Sequence, residues 1–208
     1  LSLNSNGHVP TITPMDFDNG TTDNCTIESM ILSQYDFTCA DTGVNVITLT
    51  ATDNSGNVDS CMSNVTVLDT ISPMAMCQDI TIYLDGNGMV SIDSSDVDNG
   101  STDNCEIATM AISQSNFDCS HIGANMITLT VTDVSGNVGI CMSTVTVLDT
   151  LNPVVTCKDT TIYLDSTNLF VIDSSFVFDM ATDNCSIDSV WLSKTTFTCA
   201  DLGINYVT

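Results

Sequence analysis

Apolar and polar residues alternate along much of the chain, which is the signature of half-buried strands. Residues 75–84 place Ile80, Ile82 and Leu84 on one face, and 138–148 alternate through Val145 and Val147. Between them, 89–92 and 107–113 read as short strands. Residues 125–132, rich in Thr, Ile, Leu and Val, read as a longer one. Asp133-Val-Ser-Gly136-Asn137 joins the last two as a tight hairpin turn. No stretch keeps a helical period. About six or seven short strands in roughly eighty residues predict a small β-sandwich.

The pattern repeats. Cys25, Cys105 and Cys185 are eighty apart, as are Cys39, Cys119 and Cys199; Cys61 recurs as Cys141, and Cys77 as Cys157. VTVLDT stands at 65–70 and 145–150, and DFDNGTTDNC at 16–25 returns as DVDNGSTDNC at 96–105. The expected architecture is therefore all-β, made of tandem immunoglobulin-like β-sandwich domains of about 80 residues. Boundaries fall after Asp69-Thr70 and Asp149-Thr150, giving a partial repeat over 1–70, a complete one over 71–150 and a partial one over 151–208. The first lacks its front and the third its back. The expectation is a window on a longer repeat protein, or strands completed by a neighbouring subunit.

Composition narrows the function. The 208 residues carry 26 acidic and 2 basic side chains, a formal net charge of -24. Phosphate binding needs Lys and Arg, so nucleic acid is a poor partner, and an anionic membrane surface would repel the chain. No apolar run approaches a membrane span, and no signal peptide stands at the start. Ten cysteines point to an oxidising, extracellular setting. With so few basic groups, self-repulsion must be met by cations from solution.

The preferred pairing clips Cys105 to Cys119 locally, with Cys25–Cys39 and Cys185–Cys199 as its copies, and joins the first and last strands through Cys77–Cys141. The alternative pairs Cys61 with Cys77 and Cys141 with Cys157 across the junctions. It would require a sharp fold-back, because the strand after Cys141 runs on for roughly 20 Å while a disulfide spans only about 6 Å between Cα atoms. Zinc is disfavoured, since no C-x-x-C pair exists.

The densest acidic motif is D-x-D-N-G-[ST]-x-D-N-C. It offers Asp16, Asp18 and Asp23 in the first repeat and Asp96, Asp98 and Asp103 in the second. Oxygen ligands spaced along a Gly-containing turn can wrap Ca²⁺, the expected cofactor. The turns at Asp53 and Asp133 are a second candidate site, and the junction aspartates Asp69 and Asp149 a third. In the third repeat Phe176 and Phe178 replace the first two acids, so that copy is expected to bind weakly or not at all. The competing reading is that Asp and Asn simply build Asx-turns on a solvated face.

No catalytic constellation stands out, and no enzyme is expected. His8 and His121 are not equivalent, and no G-x-S-x-G, H-E-x-x-H or P-loop occurs. Asn19, Asn24, Asn64, Asn99 and Asn184 begin N-x-[ST] triplets, of which Asn64 and Asn99 are the better candidates for carrying sugar.

The repeats resemble the HYR family, immunoglobulin-like repeats of extracellular proteins. The resemblance lies in Pro73 leading to Cys77, Thr102-Asp103-Asn104-Cys105, Phe117 before Gly123, 127–133 with its Ser135-Gly136-Asn137 turn, Cys141, and 145–149. The flanking repeats keep most of these marks. Closely similar arrays look like those in very large surface proteins of Bacteroidetes bacteria. The resemblance implies adhesion, surface display and stalk building without catalysis. It also implies O-glycosylation at Asp-Thr pairs such as those of Thr70 and Thr150. Two function classes follow. One is a structural repeat of a cell-surface stalk or filament that associates with itself or with neighbouring repeats. The other is an adhesin whose repeats contact glycan or protein. Near-identical loops from repeat to repeat favour the first.

Overall fold

The computed structural model describes residues 1–208, with thirteen short strands, one helical turn and five 3-10 turns. The first repeat supplies β1 (Ile27–Leu32), β2 (Gly43–Asp53) and β3 (Val58–Val67). The second supplies β4 (Ile80–Tyr83), β5 (Met89–Ser91), β6 (Ile107–Ile112), β7 (Asn116–Asp118), β8 (Gly123–Asp133) and β9 (Val138–Leu148). The third supplies β10 (Val154–Cys157), β11 (Leu169–Val171), β12 (Phe178–Thr182) and β13 (Thr196–Thr198). The sheets are β1-β2-β3, β4-β9-β8-β6 and the pairs β5-β7, β10-β12 and β11-β13. The chain is all-β.

β5, β6, β8 and β9 lie where the alternation predicts them. The 75–84 stretch divides instead. Met74 and Cys77 bridge Thr102 and Asp98, and only Ile80–Tyr83 joins the larger sheet. The helical turn α1 (Ser94–Val97) was masked by its brevity. Its start is nonetheless written in Asp93-Ser-Ser-Asp96, where Asp93 accepts from the Ser95 amide and Asp96 from the Asp93 amide, a reciprocal cap. β7 is three residues long, too short to show a period.

The hairpin between β2 and β3 pairs Gly43 with Val67 through to Thr52 with Val58. Its turn needs Gly56, held at φ +84°, a conformation that costs an L side chain energy. The matching Gly136 has φ +89°.

The core follows the sequence period. In the first repeat Leu3, Ile12, Leu32, Phe37, Ile47, Leu49, Val65 and Val67 form one buried cluster, with the inward residues of the three-stranded sheet facing a layer made by the opening segment and Phe37. Their counterparts Leu84, Ile92, Phe117, Ile127, Leu129, Val145 and Val147 are buried in the second repeat, and Ile172 and Phe197 in the third. Ser143 is buried too, and its hydroxyl is satisfied by the Gln78 carbonyl at 2.7 Å.

Two compact units emerge from backbone proximity, and they do not follow the repeat period. One holds residues 1–80, 92–115 and 126–145; the other holds 81–91, 116–125 and 146–208. Each unit contains parts of two successive repeats. Each unit also contains one cysteine bond that joins successive repeats, Cys39–Cys105 in the first and Cys119–Cys185 in the second.

Candidate cation site and the cysteine bonds between repeats

Three disulfides form: Cys39–Cys105, Cys77–Cys141 and Cys119–Cys185. Cys77–Cys141 is the bond expected between the front and back of one repeat. The local clips are not made. Cys39 bonds Cys105 across 66 residues, Cys119 bonds Cys185 across 66, and Cys25 and Cys199 stay free and exposed, as do Cys61 and Cys157. The pairing has a structural cause. Cys105 leads into β6, an edge of the four-stranded sheet, whereas Cys119 follows β7, which pairs with β5 in a different sheet. The chain changes sheets between the two cysteines, so each is delivered to a neighbouring repeat. Cα separations of 5.5 and 5.4 Å fit ordinary disulfide geometry.

Each inter-repeat bond has a socket and a plug. The socket of Cys39 is Gly7, at φ +72°; a Cβ there would stand 2.6 Å from the Asn104 carbonyl oxygen and 2.7 Å from Cys39 Sγ. The socket of Cys119 is Gly88, at φ +71°, with the corresponding distances 2.5 Å to the Asn184 oxygen and 2.7 Å to Cys119 Sγ. The plug is the Asp-Asn-Cys turn at 103–105 or 183–185. Gly88→Ala should therefore block the seat. A destabilisation of about 1–3 kcal/mol is expected from overpacking and backbone strain. In a non-reducing digest the yield of the Cys119–Cys185 peptide should fall while that of Cys39–Cys105 is unchanged.

The same plug builds an oxygen-rich cluster. Asp103 Oδ2 accepts from the Cys105 amide at 2.9 Å, while its Oδ1 is buried without a donor. Asn104 Nδ2 donates to Asp69 Oδ1 at 3.2 Å, leaving Asn104 Oδ1 also buried without a donor. Asp69 is 7% exposed and Asp133 only 2%. Asn137 ties them together, its amide donating to Asp133 Oδ2 at 2.8 Å and to the Asp69 carbonyl at 3.2 Å. Carboxylate oxygens of Asp69 and Asp103 and the sulfur of Cys105 lie within 4.8 Å of one another. That sulfur is committed to a disulfide, so the donors on offer are oxygens, which suits a hard cation. No Lys or Arg precedes Lys158, so these carboxylates have no basic side chain from the first 157 residues to balance them.

The third repeat keeps half of this arrangement. Asn184 donates to Asp149 Oδ1 at 3.1 Å and to the Asp85 carbonyl at 3.1 Å, and its Oδ1 is again buried without a donor.

The other expected ligands point elsewhere. Asp16 accepts from the Thr13 amide and hydroxyl, and Asp96 from the Asp93 amide. Asp23 accepts from the Cys25 amide. Asp18 and Asp98 turn onto Thr21 and Ser101, whose hydroxyls hold both carboxyls below their ordinary pKa of 3.8. Asp53 is held below that value by the Asn57 side chain and amide. The D-x-D-N-G loop is thus a set of Asx-turns and caps rather than a convergent ligand shell. Of the expected ligands, Asp103 and the junction aspartate Asp69 belong to the cluster, with Asp133 beside them. The residue that completes it is Asn104. Asn104 could have been suspected from its recurrence, as part of T-D-N-C, beside every plug cysteine.

Where the third repeat loses its two acids, Phe176 instead meets Phe170 edge-to-face at 5.7 Å between ring centroids. Asn64, Asn99, Thr70 and Thr150 are all exposed.

No protein-family model matches the chain, and no curated protein matches it. Several solved structures are similar to it at low identity. Protocadherin gamma B7 extracellular cadherin domains 1–4 are 13% identical, with 80% of this chain and 53% of that one covered and a TM-score of 0.34. Protocadherin gamma B2 extracellular cadherin domains 1–5 are 15% identical, covering 95% and 51%, with a TM-score of 0.33. Fibronectin(III)-like modules of Clostridium thermocellum CbhA are 10% identical, covering 71% and 89%, with a TM-score of 0.28. The chain spans about half the length of the protocadherin structures. No helix is long and apolar enough to cross a membrane.

Proposed function

We propose that the chain is a tandem-repeat segment of an extracellular cell-surface stalk or filament, whose work is to carry tension rather than to catalyse. The HYR-like reading of the repeats, resting on the T-D-N-C and S-G-N motifs, belongs to this proposal, as do repeat boundaries at 70 and 150. The observation that carries it is the overlap of the three disulfide loops, 39–105, 77–141 and 119–185. A pull on the two ends runs from Cys39 to Cys105 and from Cys119 to Cys185, bypassing most of each repeat. Only 1–39, 105–119 and 185–208 can then be drawn out, about 75 residue steps, or roughly 27 nm at about 3.5 Å per step. The reduced chain of 208 residues reaches roughly 72 nm.

Single-molecule stretching tests this. The oxidised chain is expected to stop near 27 nm and the reduced chain near 72 nm. An oxidised limit near 40 nm, the rough length that local clips with Cys77–Cys141 would leave, would contradict the reading.

Calcium at Asp69, Asp103 and Asn104 is the second part of the proposal. Buried carboxylates are tolerated when paired or when they hold a cation, and here no basic residue pairs them. Calcium would neutralise the cluster where the plug enters, bracing the same junction that the disulfide closes. Sugar on Asn64, Asn99, Thr70 or Thr150 would sit on exposed surface, in keeping with an outer-surface setting.

A further inference from the structure

An asparagine followed by glycine loses its side-chain amide readily, because glycine puts no side chain in the way of its own nitrogen. The chain has four such pairs, Asn6-Gly7, Asn19-Gly20, Asn87-Gly88 and Asn99-Gly100. Two of them are the sockets of the inter-repeat disulfides. All four asparagines are exposed, but the glycines divide: Gly7 and Gly88 are buried, whereas Gly20 and Gly100 are exposed. The Gly7 amide donates to the Asn4 carbonyl and the Gly88 amide to the Asp85 carbonyl, both at 2.9 Å. The plug closes over each socket, its Asn104 or Asn184 carbonyl oxygen 2.6 or 2.5 Å from where a glycine Cβ would stand. At Gly20 and Gly100 nothing lies within 4 Å of that point.

We propose that Asn6-Gly7 and Asn87-Gly88 are deamidation sites that the seated plug holds closed, so that an inter-repeat joint left open after reduction loses the ability to close again. This gives the joint a lifetime, and it rests on the socket geometry whether or not the chain bears tension.

The chemistry needs only water. The Gly88 nitrogen gives up its proton and attacks Asn87 Cγ. A C–N bond forms, the Cγ–Nδ2 bond breaks, and the side-chain nitrogen takes up a proton and leaves as ammonia. Water then adds to one carbonyl of the resulting cyclic imide and opens it, leaving aspartate or isoaspartate at position 87. One water is consumed and one ammonia released. With the plug seated, the Gly88 N–H is committed to Asp85, and closing the imide ring would drive the glycine toward the Asn184 carbonyl. After conversion the socket rejects the plug. Isoaspartate lengthens the main chain by a methylene where there is no room for a Cβ. Either product also sets a new carboxylate beside Asp85, whose Oδ2 now accepts from Asn87 Nδ2 at 3.4 Å. The third repeat shows which changes the fold accepts. Asp179 stands where Asn99 stands, so an aspartate is tolerated in the exposed loop. Thr167 stands where Asn87 stands, and its amide donates to Asp165 as the Asn87 amide does to Asp85.

The test uses the 208-residue chain with its three disulfides formed, aged in mildly alkaline buffer either oxidised or reduced with dithiothreitol. Peptide mass spectrometry follows the conversion of each asparagine. Asn6 and Asn87 should convert about tenfold more slowly in the oxidised chain than in the reduced one, because reaction requires the opened form. In the oxidised sample they should also lag behind Asn19 and Asn99. Oxidised glutathione is then added to the reduced samples. Freshly reduced chain should regain the Cys39–Cys105 and Cys119–Cys185 peptides, and aged chain should regain neither. Aged Asn87→Thr should regain Cys119–Cys185 alone, and aged Asn6→Thr should regain Cys39–Cys105 alone. Conversion of Asn87 in the oxidised chain as fast as Asn99, or re-formation of both bonds in aged wild type whose sockets have converted, would overturn the proposal.

Discussion

Replacing Cys39 and Cys105 together by alanine is expected to remove about 4 kcal/mol of stability from the unit that holds them. Closing a loop of 66 residues restricts the unfolded chain by roughly that amount in the loop-entropy account. Domains are stable by only about 5–15 kcal/mol, so the loss is a large fraction of the total. Its midpoint should fall by on the order of 15 °C or more in a circular-dichroism melt. The Cys25→Ala control should leave it unchanged, because Cys25 is free and exposed. A Cys39→Ala/Cys105→Ala melt that matches the wild type would show that the inter-repeat bond contributes nothing.

The second large effect concerns calcium. At calcium a hundredfold above its dissociation constant, binding to the folded state alone adds about 2.7 kcal/mol, several degrees of melting temperature for a unit of this size. Asp69→Asn and Asp103→Asn should each remove most of that response, since each deletes a charge from the cluster. Asp16→Asn should keep it, because Asp16 is spent on the Thr13 cap. Equal melts in calcium and in chelator would remove calcium from the account, whereas the disulfide argument would stand.

Much of the fold was legible because it rests on period-2 burial. Ile127, Leu129 and Val131 in β8, and Ser143, Val145 and Val147 in β9, alternate inward as their sequence implies. Phe37, Phe117 and Phe197 stand eighty residues apart in turn, and all three are buried. The inter-repeat bonds were hidden for a physical reason. Nearness in sequence made Cys105 and Cys119 look like partners, but the side a cysteine faces depends on which sheet its neighbouring strand joins, and that is a long-range property. Asp69, Asp103 and Asp133 were legible as candidate ligands of three separate sites, but their meeting in one cluster was hidden likewise. Asp69, Asp103 and Asp133 come from three separate turns, and their convergence exists only once the plug is seated. The turns at Asp53 and Asp133 have similar sequences and fold alike, yet Asp133 is buried where Asp53 is only partly covered. At the Asp133 turn, unlike the Asp53 turn, the preceding repeat is in contact: Asn137, which donates to Asp133 Oδ2, donates also to the Asp69 carbonyl. Local sequence dictates the turn, and the neighbouring repeat dictates its environment.

The central claim is that successive repeats are stapled covalently to one another. Digesting the oxidised chain without reduction tests it most directly, using a protease that cuts at aspartate because the chain offers only two basic cleavage sites. The account predicts linked peptides joining Cys39 to Cys105 and Cys119 to Cys185. Peptides joining Cys25 to Cys39 and Cys105 to Cys119 would contradict it.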